Sequence, residues 1–228
     1  MPTIWQRQPD FSPATLQKTT SDPVAMVKTG IIADSHGHFE KLSDAIAFLK
    51  AQNCLRIYHL GDICDSTFPQ TADACVALIQ DNKIMAVKGN NDYALSLNSS
   101  HLTGNPFSAA TVNYLRNLPL LLKDRMLLFT HSLPFVEELG LSSMVGPMSP
   151  QNIAHFFTTC PTSVLFRGHS HSPEIIRSNN NHFTCTPLVP GQKFDLNLAA
   201  PCIFTCGALT DHHCLILEAG YTLACHCF

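Results

Sequence analysis

Residues 27–62 decide the fold, and they read VKTGIIADSHGHFEKLSDAIAFLKAQNCLRIYHLGD. The apolar run from Val27 to Ala33 suits a buried strand, and the segment from Phe39 to Ala51 repeats its apolar residues with the period of a helix. A second apolar run, Leu55 to Leu60, predicts another strand. The stretch is therefore predicted to form a β-α-β unit with parallel strands. Such strands are buried on both faces, and ligands gather at their carboxyl ends.

This alternation continues beyond the first unit, and the second half of the chain is mainly β. Apolar periods predict three further helices, at Thr71–Gln80, Ser108–Arg116 and Pro150–Thr159. The same reasoning predicts further strands at Ile84–Val87, Met126–Phe129, Ser163–Phe166, Glu174–Arg177, Cys202–Cys206, His213–Leu217 and Tyr221–Cys225, with a hairpin turn at Lys123–Arg125. The polar segments Tyr93–Pro106 and Ser178–Ala200 are predicted to be loops.

Length and charge bound the domain count and the partners. The 228 residues suffice for one sizeable core, so we expect a single domain over residues 27–228. Residues 1–26 are rich in Pro, Thr, Ser and Gln and show no regular period, which predicts an irregular extension. A formal net charge of -3 leaves no basic excess to bind nucleic acid or an anionic membrane surface.

Apolar runs and cysteine spacing bear on the compartment. No apolar run is long enough to span a bilayer, and the first 30 residues lack the continuous apolar stretch of a signal peptide. We therefore expect a cytoplasmic protein. The ten cysteines are irregularly spaced, which favours free thiols over disulfides. The sequence leaves the oligomeric state open.

Five predicted strand ends finish in residues that can bind metal ions. They are Asp34-Ser35-His36, Gly61-Asp62, Gly89-Asn90-Asn91-Asp92, His131 and Gly168-His169-Ser170-His171. In extended backbone, residues two apart point to the same side, so Asp34 with His36, and His169 with His171, are each expected to converge on one centre. The glycines before Asp62, Asn90 and His169 permit sharp turns and close approach. Oxygen and nitrogen ligands without thiolate suit Mn, Fe or Zn.

In this order, the motifs Asp-x-His, Gly-Asp, Gly-Asn-x-Asp, His and Gly-His-x-His resemble those of the calcineurin-like metallophosphoesterase superfamily, over about residues 27–219. The short chain and its Gly-Asn-Asn-Asp sequence resemble small prokaryotic phosphodiesterases more than the eukaryotic protein phosphatases. The resemblance implies an α/β fold, namely a four-layer α/β/β/α sandwich with two mixed β-sheets. It also implies the metal ligands: Asp34, His36, Asp62 and His171 for one ion, and Asn90, His131 and His169 for the other, with Asp62 bridging both.

The resemblance further implies a dinuclear metal-dependent hydrolase of a phosphodiester or nucleotide, in which a metal-bound hydroxide attacks the phosphorus. Its cofactors would be two divalent ions, with Mn favoured over Fe, Zn or Ni. Because Asn90 is a neutral ligand, only Asp34 and Asp62 offset the charge of the ions. The surplus positive charge attracts a small phosphate-ester substrate, so no basic surface is needed.

The chain departs from the family pattern at Asn91, where many members have a His to which the resemblance assigns protonation of the leaving group. An amide is no general acid at neutral pH, which favours diesters with acidic leaving groups or another acid such as His38. Asp92 orients Asn91 or a loop amide, or belongs to the turn. Asn91, His38 and Asp92 are thus the candidate catalytic residues. A second departure is Thr205-Cys206-Gly207-Ala208, where relatives tend to have Asn-Pro-Gly-Ser.

Two alternative functions stay open at this stage. One is a protein-binding scaffold of the same fold, a role taken when ligands are lost, whereas all seven ligand positions are present here. The other is a serine/threonine protein phosphatase-like phosphomonoesterase, against which the short chain and Asn91 argue. The C-terminal Cys and His residues, from Cys202 to Cys227, suggest a structural zinc site but lack the paired spacing of a zinc knuckle, so the cysteines are interpreted as buried apolar thiols.

Overall fold

The computed structural model describes residues 27–98, 106–179, 182–219 and 221–228. The extension predicted for residues 1–26 lies outside these residues. At the centre of the described fold are two six-stranded sheets, here named sheet 1 and sheet 2.

Sheet 1 is built on the β-α-β unit at the start of the fold. Its strands, in spatial order, are β3 (Met85–Ala86), β2 (Arg56–His59), β1 (Thr29–Ile32), β11 (His213–Leu217), β12 (Thr222–Cys227) and β9 (Lys193–Asp195). The first three strands are parallel, as predicted, and the others add antiparallel. Helices α1 (Phe39–Ala51) and α2 (Ala72–Asp81) connect the parallel strands.

Sheet 2 begins with the predicted hairpin. Its strands, in spatial order, are β4 (Leu121–Asp124), β5 (Leu127–Thr130), β6 (Val164–Arg167), β10 (Cys202–Thr205), β7 (Glu174–Asn179) and β8 (His182–Pro187). Strands β5, β6 and β10 run parallel, and the outer neighbours run antiparallel. The remaining helices are α3 (Asn90–Asn98), α4 (Ala109–Asn117), α5 (Val136–Leu139), α6 (Pro150–Thr159) and α7 (Leu196–Ala199).

Three apolar clusters define four layers. The first packs α1 and α2 against sheet 1 and includes Leu42, Leu49 and Ile32. The second lies between the sheets and joins Ile31 of sheet 1 to Phe166 of sheet 2. The third packs α6 against sheet 2 and includes Phe156 of that helix. The predicted α/β/β/α sandwich with two mixed sheets is therefore confirmed.

A row of aromatic rings packs between the two sheets. Tyr58 of sheet 1 stacks on Phe129 of sheet 2, with ring centroids 3.8 Å apart and planes 8° apart. The row continues from Phe129 to Phe166 and from Phe166 to Phe204, at centroid distances of 5.4 and 5.7 Å. Phe194 of sheet 1 closes it against Phe204 at 5.4 Å. Such ring pairs stabilise beyond their burial alone, and this row lies just before three of the predicted metal-binding motifs.

Two segments predicted to be loops contain regular structure. The chain forms α3 from Asn90 onward, so the prediction of a polar loop directly after Asp92 is wrong. The segment Ser178–Ala200 contains β8, β9 and α7, and it supplies an edge strand to each sheet. Of the first segment, the structure describes residues 93–98 and 106, and residues 99–105 lie outside it. Both segments are mainly polar in sequence, and β8 has no buried residue, so neither shows a clear apolar period. Removing Ser178–Ala200 would therefore damage both sheets.

All ten cysteines lie within the described residues, and each is a free thiol. Seven of them are buried, including Cys202, Cys206, Cys214 and Cys225 of the C-terminal group, whereas Cys227 is exposed, so its interpretation as a buried thiol is wrong. Where the structure describes side chains, no cluster of three potential metal ligands includes a cysteine. Among the described helices, none is both long enough and apolar enough to cross a membrane.

The packing of α1 on sheet 1 predicts a difference between Leu49 in this helix and Leu55, which directly precedes β2. Leu49 is 0% exposed and Leu55 is 79% exposed. We expect Leu49→Ala to lower the free energy of unfolding by about 2 to 5 kcal/mol, because it leaves a cavity in the core. The matched control Leu55→Ala should change it by less than about 0.5 kcal/mol. Urea unfolding of both variants measures this, and equal effects would contradict the packing described.

Candidate metal centre

The five predicted strand-end motifs meet in one polar cluster. Strands β1, β2 and β3 of sheet 1 lead into Asp34, Asp62 and Asn90, while β5 and β6 of sheet 2 lead into His131 and His169. Two sets of side chains place their potential ligand atoms within 4.8 Å of one another: Asp34, His36 and His171, and Asp34, Asp62 and His131. Both sheets therefore contribute to the cluster.

Left-handed backbone brings these side chains together. Five of the seven predicted ligands have positive φ angles: Asp34 (58°), His36 (47°), Asp62 (55°), His169 (70°) and His171 (60°). Strands β1 and β6 end before these residues. Asp34 and His36 converge as predicted, with Oδ1 and Nε2 4.0 Å apart, but left-handed turns and not strand alternation are the reason. His169 and His171 contact different partners, His131 and His36, so the prediction that these two converge on one centre by strand alternation is wrong. Each such angle costs a non-glycine residue about 1 to 2 kcal/mol, and such strain gathers at functional sites.

Glycines let the ligand-bearing turns approach one another. A Cβ on Gly89 would lie 2.1 Å from Asp62 Oδ1, and a Cβ on Gly168 would lie 2.6 Å from Asp34 Oδ2. Gly61 has a φ of 89°, and a Cβ there would lie 2.7 Å from the backbone N of Gly89. Only Gly61 of these three needs its conformational freedom. The other two are needed because a carboxylate occupies the space of a side chain.

Asp34, His36 and His171 form the first ligand group, with Asp62 beside it. His36 Nε2 lies 3.0 Å from His171 Nε2, 4.0 Å from Asp34 Oδ1 and 3.9 Å from Asp62 Oδ2. His171 Nε2 lies 3.7 Å from Asp34 Oδ1. On its other side, His36 Nδ1 donates to Asp65 Oδ2 over 2.9 Å. A carboxylate at Nδ1 keeps the proton there, so the Nε2 lone pair faces the group.

Asn90, His131 and His169 form the second ligand group. His131 is buried, and its Nδ1 donates to the Leu60 carbonyl over 2.8 Å, which turns Nε2 toward the cluster. That Nε2 lies 3.0 Å from Asn90 Oδ1 and 3.2 Å from His169 Nδ1. It also lies 3.5 Å from Asp62 Oδ2. Asp62 is therefore close to an imidazole of each group.

The spacing of these atoms fits ligands that share an ion. Two atoms bound about 2.1 Å from one ion, at angles between square and tetrahedral, lie about 3.0 to 3.4 Å apart. The His36–His171, Asn90–His131 and His131–His169 contacts measure 3.0, 3.0 and 3.2 Å. Carboxylates, an amide oxygen and imidazoles together suit borderline divalent ions. The residues fit a pair of such ions, and the division of ligands between them stays a prediction.

The electrostatics of the cluster favour a cation. Burial raises the pKa of Asp34. Burial also acts to raise the pKa of Asp62, but hydrogen bonds from His131 and Asn91 hold it well below its usual range. Burial acts to lower the pKa of His131, yet Asp62 and Asp34 raise it to about 9. The carboxylates thus stabilise positive charge beside His131 Nε2, and a divalent ion benefits from the same field.

Two of the candidate catalytic residues, Asn91 and His38, have different surroundings. Asn91 donates twice to Asp62, from its backbone N to Oδ1 over 2.8 Å and from Nδ2 to Oδ2 over 2.7 Å. It therefore holds the carboxylate predicted to bridge the ions. The ring of His38 packs on Phe68, with ring centroids 4.7 Å apart. A catalytic role for either residue stays a prediction.

The third candidate, Asp92, accepts hydrogen bonds from two loop amides. It is buried and accepts hydrogen bonds from the backbone N of Cys64 over 2.9 Å and of Gly89 over 3.0 Å. The second bond has the form of a capping box, in which a side chain in the first helical turn reaches back to the residue before the helix. Burial and the nearby Asp62 raise the pKa of Asp92 to about 7. These contacts support the loop-amide role considered for it.

Sequence reasoning missed three side chains that support the cluster. Asp65 accepts the hydrogen bond from His36 Nδ1. His59 is 0% exposed and its Nε2 lies 3.0 Å from Ser35 Oγ, while burial lowers its pKa to about 3. Arg167 is 2% exposed and directly precedes the last motif. His59 and Arg167 are signalled by a polar residue inside an apolar run just before a motif, in RIYHLGD and VLFRGHSH.

Comparison with known proteins agrees with this geometry. The family model of the calcineurin-like phosphoesterase superfamily domain matches residues 27–206. The chain belongs to the calcineurin-like phosphoesterase superfamily. Membership in this superfamily supports a hydrolase that acts on phosphate esters and uses divalent metal ions.

Relatives of this superfamily member come from archaea, bacteria and yeast. An uncharacterised protein of Methanocaldococcus jannaschii is 26% identical over 208 residues, which cover 78% of this chain and 84% of that protein. A metallophosphoesterase from Sphaerobacter thermophilus superposes with a TM-score of 0.71 at 20% identity, covering 88% of this chain and 87% of that one. A protein serine/threonine phosphatase from Saccharomyces cerevisiae gives a TM-score of 0.50 at 12% identity, covering 90% and 80%. The two structural likenesses show the fold alone.

The contact between Asp65 and His36 predicts a loss of metal affinity when it is removed. We expect Asp65→Ala to weaken Mn²⁺ binding by about 10- to 100-fold, because His36 loses the partner that fixes its ring. The control is Asp73→Ala. Asp73 accepts the backbone N–H of Ser108 at the start of α4, as Asp65 accepts that of Thr67. Titration calorimetry of both variants measures this. An unchanged affinity in Asp65→Ala would show that the contact does not orient the ligand.

Proposed function

We propose that this protein is a dinuclear metal-dependent hydrolase that cleaves a phosphodiester or a nucleotide. The position of Asp62 carries the proposal. Its Oδ2 lies 3.9 Å from His36 Nε2 and 3.5 Å from His131 Nε2, so one carboxylate is close to both ligand groups. A carboxylate between two ions about 3.5 to 4 Å apart suits the two-metal mechanism of phosphate-ester cleavage.

The side chains of the cluster have distinct roles in this proposal. When bound, two divalent ions, with Mn favoured over Fe, Zn or Ni, supply Lewis acidity and an activated water for an in-line displacement. Asp34, His36 and His171 would hold one ion, Asn90, His131 and His169 would hold the other, and Asp62 would be shared. Asn91 fixes both oxygens of Asp62 and so fixes the separation of the two groups.

We favour phosphodiesters over phosphomonoesters as substrates. Asn91 occupies the position at which many superfamily members have a proton-donating His, and its amide donates to Asp62. An amide gives up no proton at neutral pH, so leaving groups that depart without protonation react best. In this proposal the bound ions, and not a basic protein surface, attract the phosphate group. A small phosphate ester can therefore be the substrate.

The alternative functions have less support. A protein-binding scaffold needs no complete set of ligands, whereas here all seven predicted ligands lie in one cluster. A protein phosphatase-like activity finds its support in the yeast phosphatase, but at 12% identity that likeness extends only to the fold. Asn91 argues against it as well.

Metal removal tests the proposed chemistry directly. A chelator should abolish hydrolysis of bis-p-nitrophenyl phosphate, and added Mn²⁺ should restore it. Asp62→Asn should lower turnover by more than about 100-fold, because loss of an outer partner alone costs about 10- to 100-fold. The control Asp124→Asn alters a carboxylate that pairs with Arg56 away from the cluster, and it should stay near wild type. Metal-independent hydrolysis would overturn the proposal.

Asn91→His tests the proposed leaving-group preference. The new imidazole supplies an acid, so we expect a larger gain for a diester with a poorly acidic alcohol than for a nitrophenyl diester. Rates on both substrates, with Mn²⁺ content measured in parallel, give the comparison. Asn91→Ala serves as control, since it removes the same bond to Asp62 without adding an acid. An equal change on both substrates in Asn91→His would contradict the role given to Asn91.

A further inference from the structure

Arg167 is a buried cation next to the metal centre. It is the largest fully buried side chain among the described residues, with 2% of its surface exposed. It ends β6 and directly precedes Gly168 and His169. Its described hydrogen-bond partners are neutral oxygens, whereas buried guanidinium groups usually pair with a carboxylate. A charge buried in this way demands good geometry from its hydrogen bonds.

The guanidinium connects the ends of three parallel strands. Its Nε donates to the Ser132 carbonyl over 3.2 Å, and its Nη2 donates to Ser132 Oγ over 3.4 Å. Its Nη1 donates to Thr205 Oγ1 over 3.2 Å. Ser132 follows β5, Arg167 ends β6 and Thr205 ends β10. One planar fork therefore spans the three central strands of sheet 2 at the edge that carries the ligands.

The fork is next to two predicted ligands of the same ion. Ser132 directly follows His131, and Arg167 lies two residues before His169. The facing nitrogens of these two imidazoles are 3.2 Å apart. Ser132 is held from its other side as well, because its hydroxyl donates to the Gly146 carbonyl over 2.5 Å. The ring separation thus depends on the distance that the fork sets between the ends of β5 and β6.

We propose that Arg167 is a positioning residue for one half of the metal centre. By fixing the spacing of His131 and His169, it sustains binding of the ion predicted to be held by these residues and Asn90. The first ligand group, in which His36 and His171 meet, has no described hydrogen bond to the fork, and its Asp34 interacts with Arg167 only through charge, which a lysine at this position keeps. This inference rests on the proposed dinuclear function. It assigns the role to the shape of the guanidinium, since a lysine keeps the charge but cannot make three directed bonds in one plane.

The test is Mn²⁺ binding to the full chain, measured by calorimetry and by metal content after gel filtration. Arg167→Lys and Arg167→Met should each keep one ion at the wild-type affinity and bind the other about 10- to 100-fold more weakly. The matched control is Arg177→Lys, because Arg177 lies on the neighbouring part of sheet 2, exposed, with its guanidinium over Phe194 at 5.3 Å. That control should bind two ions as the wild type does.

A double variant identifies the affected ion. His131→Gln should weaken the same ion, and combining it with Arg167→Lys should cost no further affinity, because both changes act on one site. If the Arg167 variants do not fold, Thr205→Val removes one acceptor of the fork. It should weaken that ion about two- to tenfold, and an unchanged affinity would overturn the inference.

The outcomes separate this inference from the proposed function. A wild-type protein that binds a single ion overturns the dinuclear function, and the inference with it. Two ions in the wild type, with both affinities unchanged in the Arg167 variants, overturn the inference alone. Equal weakening of both ions also overturns it, since that result shows general support of the fold. If Arg167→Lys binds both Mn²⁺ ions with wild-type affinity, the claim that the planar shape of the guanidinium matters is overturned.

Discussion

The hydrogen bonds from the His169 backbone N to both carboxylate oxygens of Asp34, over 3.2 and 3.1 Å, join the two sheets at the metal centre. Asp34 follows β1 in sheet 1 and is 0% exposed, so its charge is far from water and needs partners. The turn after β6 in sheet 2 supplies them, and it approaches because Gly168 has no Cβ in the way of Asp34. This contact brings His171 within reach of His36. The aromatic row behind it keeps the sheets at the required distance.

Much of this arrangement is predictable because it follows from local apolar periods. Helices α1 and α6 occupy their predicted ranges, since both have an apolar face, and α6 also begins with Pro150 in its first turn. The strand-end motifs are predictable because parallel strands bring their carboxyl ends to one edge. The route of the backbone through the motifs is not. Asp and His adopt positive φ more often than most residues, but still in a small minority of cases, so the left-handed turns at Asp34 and His169 become visible only in the structure.

The failures of prediction have physical causes too. Helix α3 begins with three polar residues, so its start shows no apolar period. Asp92 stabilises this start by accepting hydrogen bonds from Gly89, directly before the helix, and from Cys64, which lies far from it in sequence. Strand β8 is held by pairing with β7 and has no buried side chain, so tertiary pairing and not pattern determines it. Arg167 was passed over because a single charge in an apolar run predicts nothing without knowledge of which strand ends lie beside it.

The division of ligands between the sheets links metal content to folding. Every predicted oxygen ligand, namely Asp34, Asp62 and Asn90, follows a strand of sheet 1, whereas His131, His169 and His171 follow strands of sheet 2. An ion bound as proposed has ligands from both sheets, so neither sheet alone forms the binding site. Ligands that bind only the native state stabilise it, by about 4 kcal/mol at a thousandfold excess over the dissociation constant. The thermal stability of this protein would then vary with the supply of divalent ions in its surroundings.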